Sequence, residues 1–213
     1  MTNKLVFNIK KDRPEEVFKN VRDYYSIENI KKYSQSKSMM RIQEKITSRA
    51  LELLDLKSLK LRILDAGCGP GFAAWYLKEY GFEVVALDII PEFLKFYELK
   101  MYNPITADMC FLPFKPEKFD AIVSISALQW IYKDINDQRM EFLITALSKS
   151  FYEILKFNSK AIFQFYPKNN KIMERIGKIF IDNTNFEGNF IVDNPNNPKK
   201  RKIFLLLEKK STK

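Results

Sequence analysis

A hydrophobic strand that runs directly into a glycine-spaced turn constrains this chain more than any other feature. Ile63, Leu64, Asp65 and Ala66 lead into Gly67-Cys68-Gly69-Pro70-Gly71, and an apolar helical pattern follows from about Phe72 to Tyr80. Glycines at 67, 69 and 71 let the backbone take positive φ and remove the Cβ atoms that keep a ligand at a distance. The helix then presents its unpaired N–H groups to whatever occupies the turn. This is the pattern of a nucleotide-type cofactor loop, although a tight strand-to-helix turn without a ligand uses the same glycines.

The next segments favour the cofactor. Phe82 to Leu87 reads as a second buried strand that ends in Asp88, followed by Ile89, 23 residues after Asp65. An acid at that strand tip is where Rossmann-like folds hold a ribose diol. A third short strand, Asn103 to Ala107, ends in Asp108-Met109, where an adenine amino group would be read. The fourth, Phe119 to Ser124, leads into Ile125-Ser126-Ala127-Leu128-Gln129-Trp130. Dinucleotide enzymes space their glycines G-x-G-x-x-G to pass a pyrophosphate, whereas here the third glycine follows after one residue. Asp65 also suits an amino-bearing ligand better than a pyrophosphate. Both points favour S-adenosylmethionine over NAD, with Asp65, Gly67, Cys68, Gly69, Gly71, Asp88, Ile89, Asp108, Met109 and Ser124 around it.

Residues Pro14 to Leu56 read as two or three helices, with Ile42, Ile46, Ala50, Leu53 and Leu54 on one apolar stripe. They are expected to lie over the cleft. Strand and helix patterns then alternate to about Leu128, the sign of a parallel sheet with helices on both faces. A long helix, about Asp137 to Phe157, precedes a fifth strand, Lys160 to Tyr166. A helix near Ile172 to Asn183 and strands at Phe190 to Val192 and Ile203 to Leu207 close the chain. The expectation is one α/β domain, with a helical lid over 1–56, the sheet over 57–208 and a short basic tail over 209–213.

Composition sets the remaining bounds. With 213 residues, 46% of them hydrophobic, a single domain can bury roughly 70% of its unfolded surface. No apolar run approaches the roughly 20 residues that span a bilayer, and the apolar stretch within 1–11 is too short for a signal peptide. Two cysteines make no disulfide framework and point to a reducing compartment; neither has the partners of a zinc site. The net charge of +10 draws a protein towards phosphate backbones by counterion release. Lys199-Lys200-Arg201-Lys202 and Lys209-Lys210 are the clusters best suited to that contact, and Tyr24, Tyr25, Tyr33 and Trp130 are aromatic rings able to stack on a base. No histidine is present, which excludes every mechanism that needs an imidazole base or ligand.

Tyr33, Ile42-Gln43-Glu44-Lys45, Arg49 to Leu54, the LDAGCGPG loop, Ser124 to Trp130, Gln164-Phe165-Tyr166-Pro167 and Val192 to Asn196 together resemble the small-subunit rRNA (guanine-N7)-methyltransferases of ribosome biogenesis. The resemblance runs from about Tyr33 to Leu207. It implies a Rossmann-like class I methyltransferase fold: a seven-stranded, mostly parallel sheet with helices on both faces and an N-terminal helical lid. It also implies S-adenosyl-L-methionine as cofactor and small-subunit rRNA or a pre-ribosomal particle as substrate. A small zinc-ribbon activator protein is implied as partner, docked on the third strand beside Phe93, Phe96, Tyr97 and Phe111. The compartment implied is nucleus or nucleolus and cytoplasm in a eukaryote, cytoplasm otherwise. The family carries an Arg five residues before the Gln where this chain has Ser38, so contact with the cofactor carboxylate passes to Lys37, beside Tyr33. The basic tail of longer eukaryotic members has no counterpart here.

The acceptor is narrowed by absences. Amino-group methyltransferases carry an N/D-P-P-Y type motif after strand four, where this chain has Ser-Ile-Ser-Ala-Leu-Gln-Trp; cytosine C5 enzymes need a Cys beside a Pro there. A ring nitrogen such as guanine N7 carries its own lone pair and needs positioning rather than a base. Gln129 is then the residue to hydrogen-bond the guanine edge and Trp130 the one to stack on it. A small-molecule methyltransferase acting on a quinone or lipid precursor, and an assembly factor acting mainly by binding, are the alternative readings.

Overall fold

The computed structural model describes residues 5–7, 13–96 and 103–211. Four helices precede the sheet: α1 (Pro14–Val17), α2 (Val21–Tyr24), α3 (Ile27–Ser34) and α4 (Lys37–Leu54). Strands β1 (Arg62–Ala66), β2 (Glu83–Asp88), β3 (Ile105–Thr106) and β4 (Phe119–Ile125) follow, with α5 (Phe72–Glu79) between the first two. The rest is α6 (Gln138–Ile154), β5 (Leu155–Phe165), α7 (Asn170–Asp182), β6 (Phe186–Asp193) and β7 (Lys202–Lys209). The sheet has seven strands in the order β3-β2-β1-β4-β5-β7-β6. Neighbours pair in parallel except β7, which runs antiparallel to both β5 and β6. The fold is Rossmann-like α/β. Chain order reverses between β1 and β4, and the crevice at such a switch point is where open α/β sheets bind ligands.

Period-two alternation builds two cores. Leu64, Ile122 and Phe163 point to the face covered by α6 and α7, through Ile144, Leu147, Phe151, Ile176 and Phe180. Ile63, Ala121, Val123 and Ile162 point to the other, covered by Ile46, Ala50 and Leu54 of α4 and by Ala73, Ala74 and Leu77 of α5. A central strand buried on both faces reads as an apolar run, which is why β1, β2 and β4 stand out in the sequence. Side-chain caps fix the helix starts: Ser36 accepts from Met39 N in α4, Asp137 from Arg139 N and Met140 N in α6, and Asn169 from Ile172 N in α7. Such a cap contributes ~1 kcal/mol.

The structure corrects the sequence reading at several elements. The long helix α4 is shared: Ile46, Ala50 and Leu54 pack on the sheet, while Met39, Ile42 and Gln43 in its first half border the cleft together with the segment from Arg13 to Ser36; Ile42 leaves the apolar stripe and is 42% exposed. β5 begins at Leu155 rather than Lys160, because its first half is polar, with Asn158 at φ 57° and a register irregularity against β4. β6 extends back to Phe186; as an edge strand carrying Glu187, Gly188 and Asn189 it shows no alternation. Lys209 is a buried residue of β7 rather than part of a tail: its Nζ donates to Leu155 O at 2.8 Å and lies 4.4 Å from the Phe157 ring centroid. Lys210 is paired with Glu208, so this cluster is engaged within the protein.

Candidate functional site

Two cavities adjoin at the carboxyl ends of β1, β2 and β4. The smaller, of about 450 Å³, is walled by the glycine loop, the tips of β2 and β3, and residues 19–25. The larger, of about 1090 Å³, lies between the lid, Gln129-Trp130, Phe165 to Pro167 and the β6–β7 loop. Tyr25, Tyr33, Gln43, Ser126 and Trp130 border both.

The glycine loop earns its composition residue by residue. Gly67 has φ +76°, and a Cβ there would stand 2.6 Å from Ala127 Cβ, so this glycine lets β1 and the β4 loop close on each other. Gly69 has φ +54°, and a Cβ there would meet nothing within 4 Å. Packing does not require Gly69; its backbone conformation does, and so does any ligand in the space beside it. Its N–H donates to Asp88 Oδ2 at 2.8 Å, while Ile90 N–H donates to Asp88 Oδ1 at 2.9 Å. Asp88 thus ties the tip of β2 to the loop. Burial still lifts its carboxyl to about 6, against the pull of those N–H groups and of Arg22.

Asp65 is the contrasting acid. It is 1% exposed, and among the described residues neither carboxylate oxygen has a hydrogen-bond partner of good geometry, the Ala74 amide being near without forming one. Burial first, then the nearby charge of Asp88, push its pKa to about 7; only the amide of Ala74 tempers the rise. A buried unpaired carboxylate costs several kcal/mol, so its retention marks a place for a cationic or N–H-bearing ligand. Among the described residues, the buried side-chain atoms left without a partner are the two Asp65 oxygens and Gln129 Oε1. One group lies on each cavity.

Of the residues singled out in the sequence, Tyr33, Asp65, Gly67, Cys68, Gly69, Asp88, Ile89, Asp108, Met109 and Trp130 line the smaller cavity. Asp108 Oδ1 accepts from Cys110 N at 2.9 Å. Cys68 and Cys110 are buried and form no disulfide. Gly71 stands behind the wall as the N-cap of α5. Ser124 is also behind it, its hydroxyl donating to Ala66 O at 2.8 Å. Gln129 borders only the larger cavity, and Lys37, the first residue of α4, borders neither. The cations on the smaller cavity are instead Lys19, Arg22 and Arg139. No spacing rule signals them: Arg22, for example, reaches Ile89 O, 67 residues away, at 2.9 Å.

The larger cavity is aromatic and basic. Tyr24 stacks on Trp130 with centroids 5.8 Å apart and planes at 28°. Lys133 lies 6.0 Å from the Trp130 ring centroid, and its Nζ donates to the carbonyls of Glu15 and Phe18, fastening the lid. Arg201, 7% exposed, donates to Pro195 O and Val6 O and has no carboxylate partner among the described residues; burial pulls its pKa down. Lys199, Lys32 and Arg13 complete the basic wall. Tyr33 packs against Phe72 and Phe93, and burial pushes its hydroxyl to about 12, keeping it neutral.

Residues 64–144 match the model of a methyltransferase domain. The 18S rRNA (guanine-N7)-methyltransferase of Bos taurus is 35% identical over 193 residues, which cover 86% of this chain and 67% of that protein. The chain belongs to the 18S rRNA (guanine-N7)-methyltransferase family. The Schizosaccharomyces pombe member is 30% identical over 94% of this chain and 76% of its own length. Among solved structures, a candidate S-adenosyl-L-methionine-dependent methyltransferase from Methanococcus maripaludis aligns with a TM-score of 0.69 at 13% identity, over 97% of this chain and 99% of that one. That likeness speaks for the fold. A long-range pair, Arg49 Nε to Asp193 Oδ2 at 3.0 Å, joins two of the sequence segments that carry the resemblance.

Proposed function

We propose that this chain methylates N7 of a guanine in small-subunit rRNA, with S-adenosyl-L-methionine as methyl donor. The observation that carries the reading is continuous similarity to 18S rRNA (guanine-N7)-methyltransferases over most of the chain, joined to a site of two adjoining chambers, of which only the smaller gathers the strand-tip acids. The smaller chamber fits the cofactor: the unpaired Asp65 suits an α-amino group, Asp88 has acceptor capacity left for a ribose diol, and Asp108 with Met109 stands where an adenine is read. When bound, S-adenosylmethionine supplies an activated methyl whose sulfonium charge disappears on transfer. Lys19, Arg22 and Arg139 are the cations available to a carboxylate, in preference to Lys37.

The larger chamber is suited to the acceptor. Its Trp130 and Tyr24 rings offer stacking surface, worth about 1–3 kcal/mol per base, and Arg201, Lys199 and Arg13 offer phosphate contacts. No base has to withdraw a proton from N7. The enzyme's work is to orient that lone pair towards the smaller chamber and to exclude water, tasks for Trp130 and for the lid fastened by Lys133.

A zinc-ribbon activator is proposed to add to the β3 edge. β3 has only two residues and closes one side of the sheet, and a few residues after it in the chain the exposed ring of Phe111 packs against exposed Phe142 of α6, centroids 6.3 Å apart. Phe93 is buried against the lid instead, and Tyr97 lies outside the described residues. The compartment proposed is wherever small subunits mature, nucleus or nucleolus included; no described helix is long and apolar enough to cross a membrane. The test is incubation with labelled S-adenosylmethionine and small-subunit particles, with and without the activator, followed by nucleoside analysis. Labelled 7-methylguanosine, stronger with the activator, is expected. Bound cofactor with no label in RNA would overturn the reading in favour of a small-molecule acceptor.

A further inference from the structure

Ser126 follows β4 in a left-handed conformation, φ 58°, which non-glycine residues rarely adopt. It is held there from β5: Ser126 N donates to Gln164 O at 2.8 Å, and Ser126 Oγ donates to Gln164 Oε1 at 2.9 Å. Gln164 is fully buried. Local strain of this kind persists where the surroundings over-determine it, and it gathers at sites that need an exact orientation. Its product is the Ser126 carbonyl, which accepts from Gln129 Nε2 at 2.8 Å.

That bond settles the direction of the Gln129 amide. A backbone carbonyl only accepts, so Gln129 must turn its nitrogen to Ser126; of what the amide has left, a second N–H and Oε1, the oxygen is the atom buried without a partner among the described residues. Oε1 is buried, has no partner, and belongs to a residue that is 7% exposed on the wall of the larger chamber. An unpaired buried acceptor is a standing demand for an N–H or O–H donor.

Resting on the guanine-N7 reading above, we propose that Gln129 Oε1 is the specificity element that selects guanine over adenine. Gln129 borders the larger chamber and not the smaller, so it meets a base edge remote from the N7 that faces the cofactor. On that edge guanine presents N1–H and N2–H donors; adenine presents an N1 lone pair and C2–H. An acceptor at that point satisfies guanine and opposes adenine, lone pair to lone pair. A site built to pair with a polar group discriminates strongly because the wrong ligand leaves buried atoms unpaired. Ser126 and Gln164 are positioning residues that act through Gln129.

The test is binding of 5′-GMP, 5′-IMP and 5′-AMP to the full chain saturated with S-adenosylhomocysteine, for wild type, Gln129→Met and Gln164→Leu. Expected are a wild-type preference for GMP and IMP over AMP of tenfold or more and its collapse to within twofold in Gln129→Met. S-adenosylhomocysteine affinity stays unchanged in that variant, which also reports that it is folded. Gln164→Leu, which releases Ser126, is expected to lose preference in the same direction. A wild type without preference, or a Gln129→Met protein that keeps it, overturns the inference. Methyl transfer to guanine N7 by the wild type would in either case leave the proposed function standing, so the two failures are distinguishable.

Discussion

The two chambers that meet at Trp130 and Ser126 are built by opposite means. The smaller is assembled from consecutive strand tips, each contributing an acid within a short local pattern: Asp65, Asp88 and Asp108. The larger is assembled from pieces far apart in the chain: Arg13 and Tyr24 of the lid, Gln129 and Trp130 after β4, Tyr166 after β5 and Arg201 before β7. One carries three strand-tip acids, with Lys19, Arg22 and Arg139 also on its wall, around a loop whose positive φ angles its glycines permit. The other is aromatic and basic, and its shape depends on a lid held by a few polar contacts such as Lys133 to Glu15 O and Phe18 O. On this account cofactor affinity and acceptor recognition are separable, and substitutions can set them apart.

The largest separation is expected from Gly69→Val. A β-branched residue at φ +54° is strained wherever it sits, and its side chain would fill the open space beside the loop. S-adenosylhomocysteine binding, followed by calorimetry, should fall more than a hundredfold, while nucleotide binding in the larger chamber is kept. Retained cofactor binding would place the ligand elsewhere.

Asp65→Asn comes next and carries a pH signature. The folded chain holds the Asp65 proton up to about 7 and that of Asp88 up to about 6, both above the ordinary 3.8. The unfolded chain therefore releases these protons first, and the free protein loses stability as pH rises from about 4 to about 7, by up to a few kcal/mol. Removing the Asp65 charge should raise the melting temperature of the cofactor-free protein at pH 8, leave it nearly unchanged at pH 4, and weaken cofactor binding more at pH 8 than at pH 4, where the wild-type carboxyl already carries its proton. Equal effects at the two pH values would deny the unpaired charge.

Asp88→Ala should cost about 1.5 to 3 kcal/mol of cofactor affinity, the range for a hydrogen bond to a charged group, with some loss of loop order because Gly69 N–H loses its acceptor. Smallest is Lys199→Ala on the basic wall. It should leave cofactor affinity unchanged and lower the slope of log affinity against log salt for RNA by about 1. An unchanged slope would remove Lys199 from the phosphate contacts.

How legible each chamber was in the sequence follows from the same contrast. Buried parallel strands, glycine spacing and strand-tip acids are local signals, so β1, β2, β4 and most of the smaller chamber were readable. Position relative to Gln43 points to Lys37, but Lys37 sits exposed at the start of α4, between Ser36 and Met39 on the wall of the larger cavity, and borders neither cavity itself. Arg22 and Arg139 reach the smaller one only through tertiary folding. Lys209 looked like tail charge because sequence does not reveal that Tyr152, Phe157 and Leu155 O surround its ammonium. The unpaired Gln129 oxygen depends on the Ser126 backbone conformation, which no residue pattern announces.

The most direct test of two separate but joined chambers is an amide chemical-shift map of the protein titrated first with S-adenosylhomocysteine and then with 5′-GMP. The first ligand should move Gly69, Asp88, Ile90 and Met109; the second should move Gln129, Tyr166 and Arg201, with Ser126 and Trp130 responding to both. Two ligands that move one common set, or a guanine nucleotide that displaces the first ligand, would contradict the division of the site.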